Sequence, residues 1–262
     1  MTWLLFLIPV LAMASALGIY PKNGKREFLK FDVVQFFYAF ILSPVLFIWI
    51  KSFLFFILRQ ELGLNLSLTG IFIWDTVFSV SFLFVYAFIV IHSLTKSFEN
   101  KRYIDPLYDV FKHSETMHLW VSHTAIYFGA MALVSLLSIA NIFFPVPWEL
   151  NQLQFYSVLV FGFSIGGIGF SAIWLSVFES KFLRVNKLLF GFFFLLHVII
   201  YFWFDPTFKS THMLYWMFFS AFTSLVLLSL FFERSERAVS LVEKLSNKLG
   251  WSAAAKRYML SK

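Results

Sequence analysis

Seven segments of this chain run for about twenty residues with scarcely a charge: 2–20, 33–58, 70–95, 118–144, 155–178, 188–204 and 214–232. A bilayer's hydrocarbon core is about 30 Å thick, and an α-helix crosses it in about 20 apolar residues. In lipid, backbone N–H and C=O groups must be satisfied within the segment, so an unbroken apolar run of that length is restricted to a helix. Barrel strands are shorter and alternate apolar with polar residues, and these runs do not alternate. The sequence therefore predicts an all-α, polytopic membrane helix bundle of seven transmembrane helices. Composition closes off a water-soluble alternative. Of the 262 residues 60% are hydrophobic and 13% charged, with 38 phenylalanines, where soluble domains carry about 25% charged residues. A water-soluble fold of this size cannot hide that much apolar surface.

Lysine and arginine collect in cytoplasmic loops, and here they alternate. Loop 21–32, loop 96–117, loop 179–187 and the tail beyond Phe232 together hold eighteen of the 21 basic residues. The intervening loops hold Arg59 and Lys209, and Lys51 lies inside a span. This places the N-terminus outside and the C-terminus in the cytosol. Ala14-Ser15-Ala16 resembles a signal-peptidase site. However, no Lys or Arg precedes the first apolar run, and cleavage would leave Lys22, Lys25 and Arg26 outside, so the first span is expected to be retained. Two regions follow: a transmembrane bundle over 1–232 and a basic amphipathic cytosolic tail over 233–262. In the tail Ala238, Leu241, Val242, Leu245 and Leu249 share one helical face, and Gly250 reads as its stop.

Charged groups in lipid are costly unless paired or wetted, so each raises a question. Lys51 and Asp75 sit at matching depths on helices joined by a short loop. An intramembrane ion pair is geometrically reasonable; one alternative is that Lys51 snorkels outward and Asp75 faces the headgroups, and another, a proton or ion relay, would need more acidic groups at that depth than the sequence offers. His92 and His123 lie near the inner ends of the third and fourth spans and could face each other. His197 falls near the centre of the sixth span and needs a partner on another helix. His113 and His118 belong to the polar inner stretch, and His212 to an outer loop. His92, His123 and His197 are thus the candidate polar or ligand positions. His197 is too far in depth to complete a three-histidine metal site with the other two. No cofactor is expected, and whether any histidine takes a metal is left open. Gly162, Gly166 and Gly167 supply small-residue steps for close helix packing. Ser43-Pro44 predicts a kink, because proline lacks the donor and crowds the preceding turn. Asn65-Leu66-Ser67 is a glycan-type triplet close to the membrane.

Several chemistries drop out. The chain has no cysteine, so disulfides, thiolate metal sites and cysteine nucleophiles are excluded. The last span has no lysine to carry a retinal Schiff base. No nucleotide-binding or serine-hydrolase motif occurs, and the scattered basic residues do not form a nucleic-acid patch. The expectation is a non-enzymatic integral membrane protein: a channel, a transporter-like conduit or the membrane subunit of a larger assembly. The alternative is a histidine-ligated haem- or metal-binding membrane enzyme or electron carrier. The expected partners are the lipid bilayer, anionic lipid at the tail, and further copies or other membrane subunits. The phenylalanine content suggests an AT-rich genome and a bacterial plasma membrane.

Overall fold

The computed structural model describes residues 6–28, 31–61, 67–101, 121–146, 150–176 and 180–232. It is an all-α membrane bundle, in which six helical stretches are long and apolar enough to cross a bilayer. The helices are α1 (Leu7–Ile19), α2 (Val33–Phe37), α3 (Ser43–Glu61), α4 (Leu68–Lys101), α5 (His123–Phe143), α6 (Gln152–Ser176), α7 (Ser180–Phe204) and α8 (Met213–Phe231). A π-helical turn, Tyr38–Leu42, joins α2 to α3 so that the three read as one crossing. Of the expected first span, 2–20, the described part is the 13-residue α1 followed by a 3-10 turn over Tyr20–Lys22. The tail, His113, His118 and Asn65 lie outside the described residues.

Between α1 and α2 the chain turns through Gly24, whose φ of 69° suits a residue without Cβ. It then forms a two-stranded antiparallel ribbon, β1 (Glu27–Phe28) and β2 (Phe31–Asp32). Asp32 ends the ribbon and starts α2. Its Oδ1 accepts the N–H groups of Val34 at 2.9 Å and Gln35 at 3.2 Å, the N-cap arrangement. Its Oδ2 accepts from Gly24 N–H at 2.6 Å.

The kink expected at Ser43-Pro44 takes the form of the π-turn just before it. Pro44 cannot donate, and both the backbone N–H and the hydroxyl of Ser43 donate to the Tyr38 carbonyl, the hydroxyl at 2.8 Å, closing the widened turn.

Helix α8 is the most enclosed. Met213, Leu214, Tyr215 and Met217 are fully buried, and the helix packs on α5, α6 and α7. Its broadest contact is with α6. Gly162 and Gly166 of α6 sit against the Met217 and Ala221 carbonyls of α8, and Ser220 of α8 donates to the Leu159 carbonyl at 3.1 Å. Lipid tails are as apolar as leucine, so helices associate through such close approach rather than through exclusion of water. At Gly167 a Cβ would meet only ordinary van der Waals contacts, with Leu228 and Ser224 of α8 at 3.9 Å. The outer surface is correspondingly apolar: Phe72, Phe202 and Phe231 are 70–80% exposed.

The start of α8 has no cap of its own. Asn141 of α5, fully buried, supplies it. Its Oδ1 accepts from Leu214 N–H at 3.0 Å and Tyr215 N–H at 3.3 Å, and its Nδ2 donates to the Thr211 carbonyl at 3.0 Å.

Candidate functional site

Five polar residues of α4 fall on one side. Asp75, Ser79, Tyr86, Ser93 and Lys96 are spaced by three, four or seven residues, the recurrence of a single helix face. Several contacts of this face reach α3, α2 and the Asp32 cap of α2, while Tyr86 stacks within α4. Asp75 and Ser79 meet Lys51 of α3, Phe82 stacks on Phe47 of α3 with ring centroids 4.0 Å apart, and Tyr86 stacks on Phe82 at 5.9 Å. Ser93 Oγ donates to the Gln35 carbonyl of α2 at 3.4 Å. Lys96 acts electrostatically on Asp32. At about 1.5 Å per residue, Asp75 to Lys96 spans about 31 Å, close to the thickness of a hydrocarbon core.

At one end of this row the Lys51 ammonium forms an ion pair with Asp75, donates to Ser79 Oγ at 2.9 Å and lies 5.9 Å from the centre of the Phe47 ring. The Lys51 side chain is 24% exposed and Asp75 is 51% exposed, so the acid opens on the outer surface of the bundle. Removing one partner leaves a lone charge in a poor solvent, whereas removing both relieves it. Lys51→Met or Asp75→Asn alone should cost about 1–3 kcal/mol. The double variant should cost less than the sum in a double-mutant unfolding cycle; additive losses would show that the two do not couple.

At the other end Asp32, Gln35, Ser93, Lys96 and Ser122 are all buried. Lys96, expected in a solvated loop, is instead carried on α4, which continues past residue 95 to Lys101. Its apolar stem can lie along the bundle while its charge serves Asp32. Burial raises the Asp32 carboxyl above its ordinary range, while the Gly24, Gln35 and Val34 N–H groups and the Lys96 charge pull it back. Tyr38 belongs to the same end, its hydroxyl donating to the Ala16 carbonyl of α1 at 2.9 Å.

His92 and His123 meet between α4 and α5. Their Nε2 atoms are 3.0 Å apart and their ring centroids 4.6 Å apart. Tyr127 stacks on His123 at 5.7 Å. The two helices come together where Gly129 faces Val85, whose methyl would collide with any Cβ at 129. Among the described residues no group of three or more His, Asp or Glu could hold a metal ion.

The chain matches no protein-family model, no curated protein and no solved structure.

His197 stands apart from both clusters. It is fully buried on α7 against Tyr215 and Phe222 of α8, with ring centroids 5.8 and 4.7 Å away. The partner expected on another helix is not what holds its ring. Nδ1 lies 2.9 Å from the Phe193 carbonyl one turn back on its own helix. A carbonyl can only accept, so Nδ1 carries the proton and the lone pair of the neutral ring sits on Nε2, which has no hydrogen-bond partner among the described residues. The link to α8 runs instead through the backbone: Tyr215 OH donates to the His197 carbonyl at 2.8 Å.

Sequence reasoning passed over Ser79, Tyr86, Ser93, Asp32, Gln35 and Asn141. One signal was present. Ser79, Tyr86 and Ser93 recur every seven residues inside a largely apolar helix.

Proposed function

We propose that the protein is a non-enzymatic, transporter-like conduit for a proton or small cation in a bacterial plasma membrane. The observation that carries this reading is the polar row of α4, about as long as the hydrocarbon core is thick, beginning at an intramembrane ion pair. Ionisable groups inside spans mark ion paths more often than they serve stability. Phe47 stacked on Phe82 interrupts the row between Ser79 and Tyr86 and is its closed point. The π-turn at Tyr38–Leu42 lets α3 shift against α4 without breaking the crossing.

Proteoliposomes carrying a pH-sensitive dye and an imposed proton or potassium gradient test this. Wild-type protein is expected to carry flux, Asp75→Asn to abolish it and Phe82→Ala to raise it. Wild-type flux no greater than that of empty vesicles, with Phe82→Ala equally silent under both gradients, would reject a conduit. The half-exposed Asp75 favours a second reading: the membrane subunit of a larger assembly, in which another copy or subunit covers this acid. Size and composition of the complex extracted from native membrane separate the two.

The proposed orientation is N-terminus outside and C-terminus cytosolic, with the basic tail resting on anionic lipid. A reporter fused after Lys262 should be cytosolic and one inserted within 62–66 external. A tail cleaved by protease added to intact cells would reverse the arrangement.

A further inference from the structure

The two histidines between α4 and α5 face each other in a way that a hydrogen bond alone does not require. A straight N–H···N bond would add a ring radius at each end and set the centroids roughly 5.3 Å apart. The observed separation is 4.6 Å, with Nε2 atoms 3.0 Å apart. The ring planes are tilted by 57° and the rings lean. If they lean equally with their axes in one plane, a proton on either Nε2 would make an angle of about 120°, where a hydrogen bond weakens steeply, and the axes meet about 2.2 Å beyond each Nε2, close to the about 2.0–2.1 Å of a metal–imidazole bond. The angle at that point is about 90°. A tetrahedral ion would hold the two nitrogens about 3.3 Å apart, wider than observed. A right angle suits the tetragonal geometry of Cu2+ or Ni2+.

From this convergence we infer that His92 and His123 form a two-histidine chelate for a divalent transition metal, taking Cu2+ or Ni2+ ahead of Zn2+. The imidazole donors suit these ions, and copper heads the affinity order. His123 is held by the stack with Tyr127 and is 7% exposed, while His92 is only partly buried and offers the way in. The described residues supply two protein ligands, and a site with open positions binds exchangeably rather than structurally. The site stands whether or not the protein is a conduit.

The full chain in nanodiscs, titrated with CuCl2 or NiCl2 alone, tests it. The wild type should bind one equivalent, with two nitrogen couplings in the copper EPR spectrum. His92→Gln and His123→Gln should each weaken binding by about tenfold or more, with circular dichroism unchanged. His212→Gln, at the opposite end of the bundle, should leave it as it was. Because the chain has no cysteine, His92→Cys provides an independent readout. It should introduce a thiolate-to-metal charge-transfer band, and it does not depend on the glutamine variants folding. Failure of the wild type to bind, binding unaffected by either glutamine variant, or absence of the thiolate band would overturn the assignment.

Discussion

Gly166→Leu is expected to drive α6 away from α8 and to cost about 3 kcal/mol or more. A Cβ at 166 would fall inside the van der Waals shell of the Ala221 carbonyl, and one at 162 inside that of Met217. Both obstacles are backbone of a helix itself packed on three neighbours, so neither can move aside as a side-chain tip would. Even alanine at 162 or 166 should be damaging. Gly167→Ala, on the same helix, meets nothing closer than 3.9 Å. It should be neutral or gain up to about 1 kcal/mol of helix propensity. Unfolding in SDS followed by circular dichroism would read all of these. If Gly166→Ala and Gly167→Ala behaved alike, the α6–α8 contact would not be the close one described.

Asn141→Ala should be nearly as severe, at about 3 kcal/mol. The substitution strips the acceptor from the Leu214 and Tyr215 amides and one donor from the Thr211 carbonyl. The first two lie at the buried start of α8, where no other cap stands in. Hydrogen exchange gives a local check: the Leu214 and Tyr215 amides should lose protection before those in the middle of α8. Retained protection at both would mean that the helix start is held by packing alone.

These two contacts differ in how far they could be read from the chain. A glycine-rich step in an apolar helix announces close packing, because little else explains small residues there, although nothing in its sequence names the helix it packs on. Asn141 announces nothing. Its role exists only because the turn at residues 210–212 passes beside the end of α5. Lys51 and Asp75 could be read as neighbours, since two lone charges on consecutive helices have few places to go. Lys96 was misread because its charge suggested that the helix had already ended, whereas α4 runs on to Lys101. His197 was misread because a polar group in lipid is first assigned a distant partner, and the carbonyl one turn back was nearer. The row on α4 was missed because serine and tyrosine are ordinary in membrane helices. Only their shared face, visible once α2 and α3 lie against it, sets them apart.

The dependence of α8 on Asn141 also has a meaning in time. Synthesis proceeds from the N-terminus at about 5–20 residues per second. Asn141 therefore emerges about 4–15 seconds before the Leu214 and Tyr215 amides that it caps. Throughout that interval the Asn141 Oδ1 lacks both of the amides that it caps, and its Nδ2 has only the Phe144 carbonyl at 3.4 Å, in a solvent that penalises the shortfall. A nascent bundle stalled before its last helix thus carries a mark of incompleteness that disappears when α8 docks, a signal that insertion and quality-control machinery could sense.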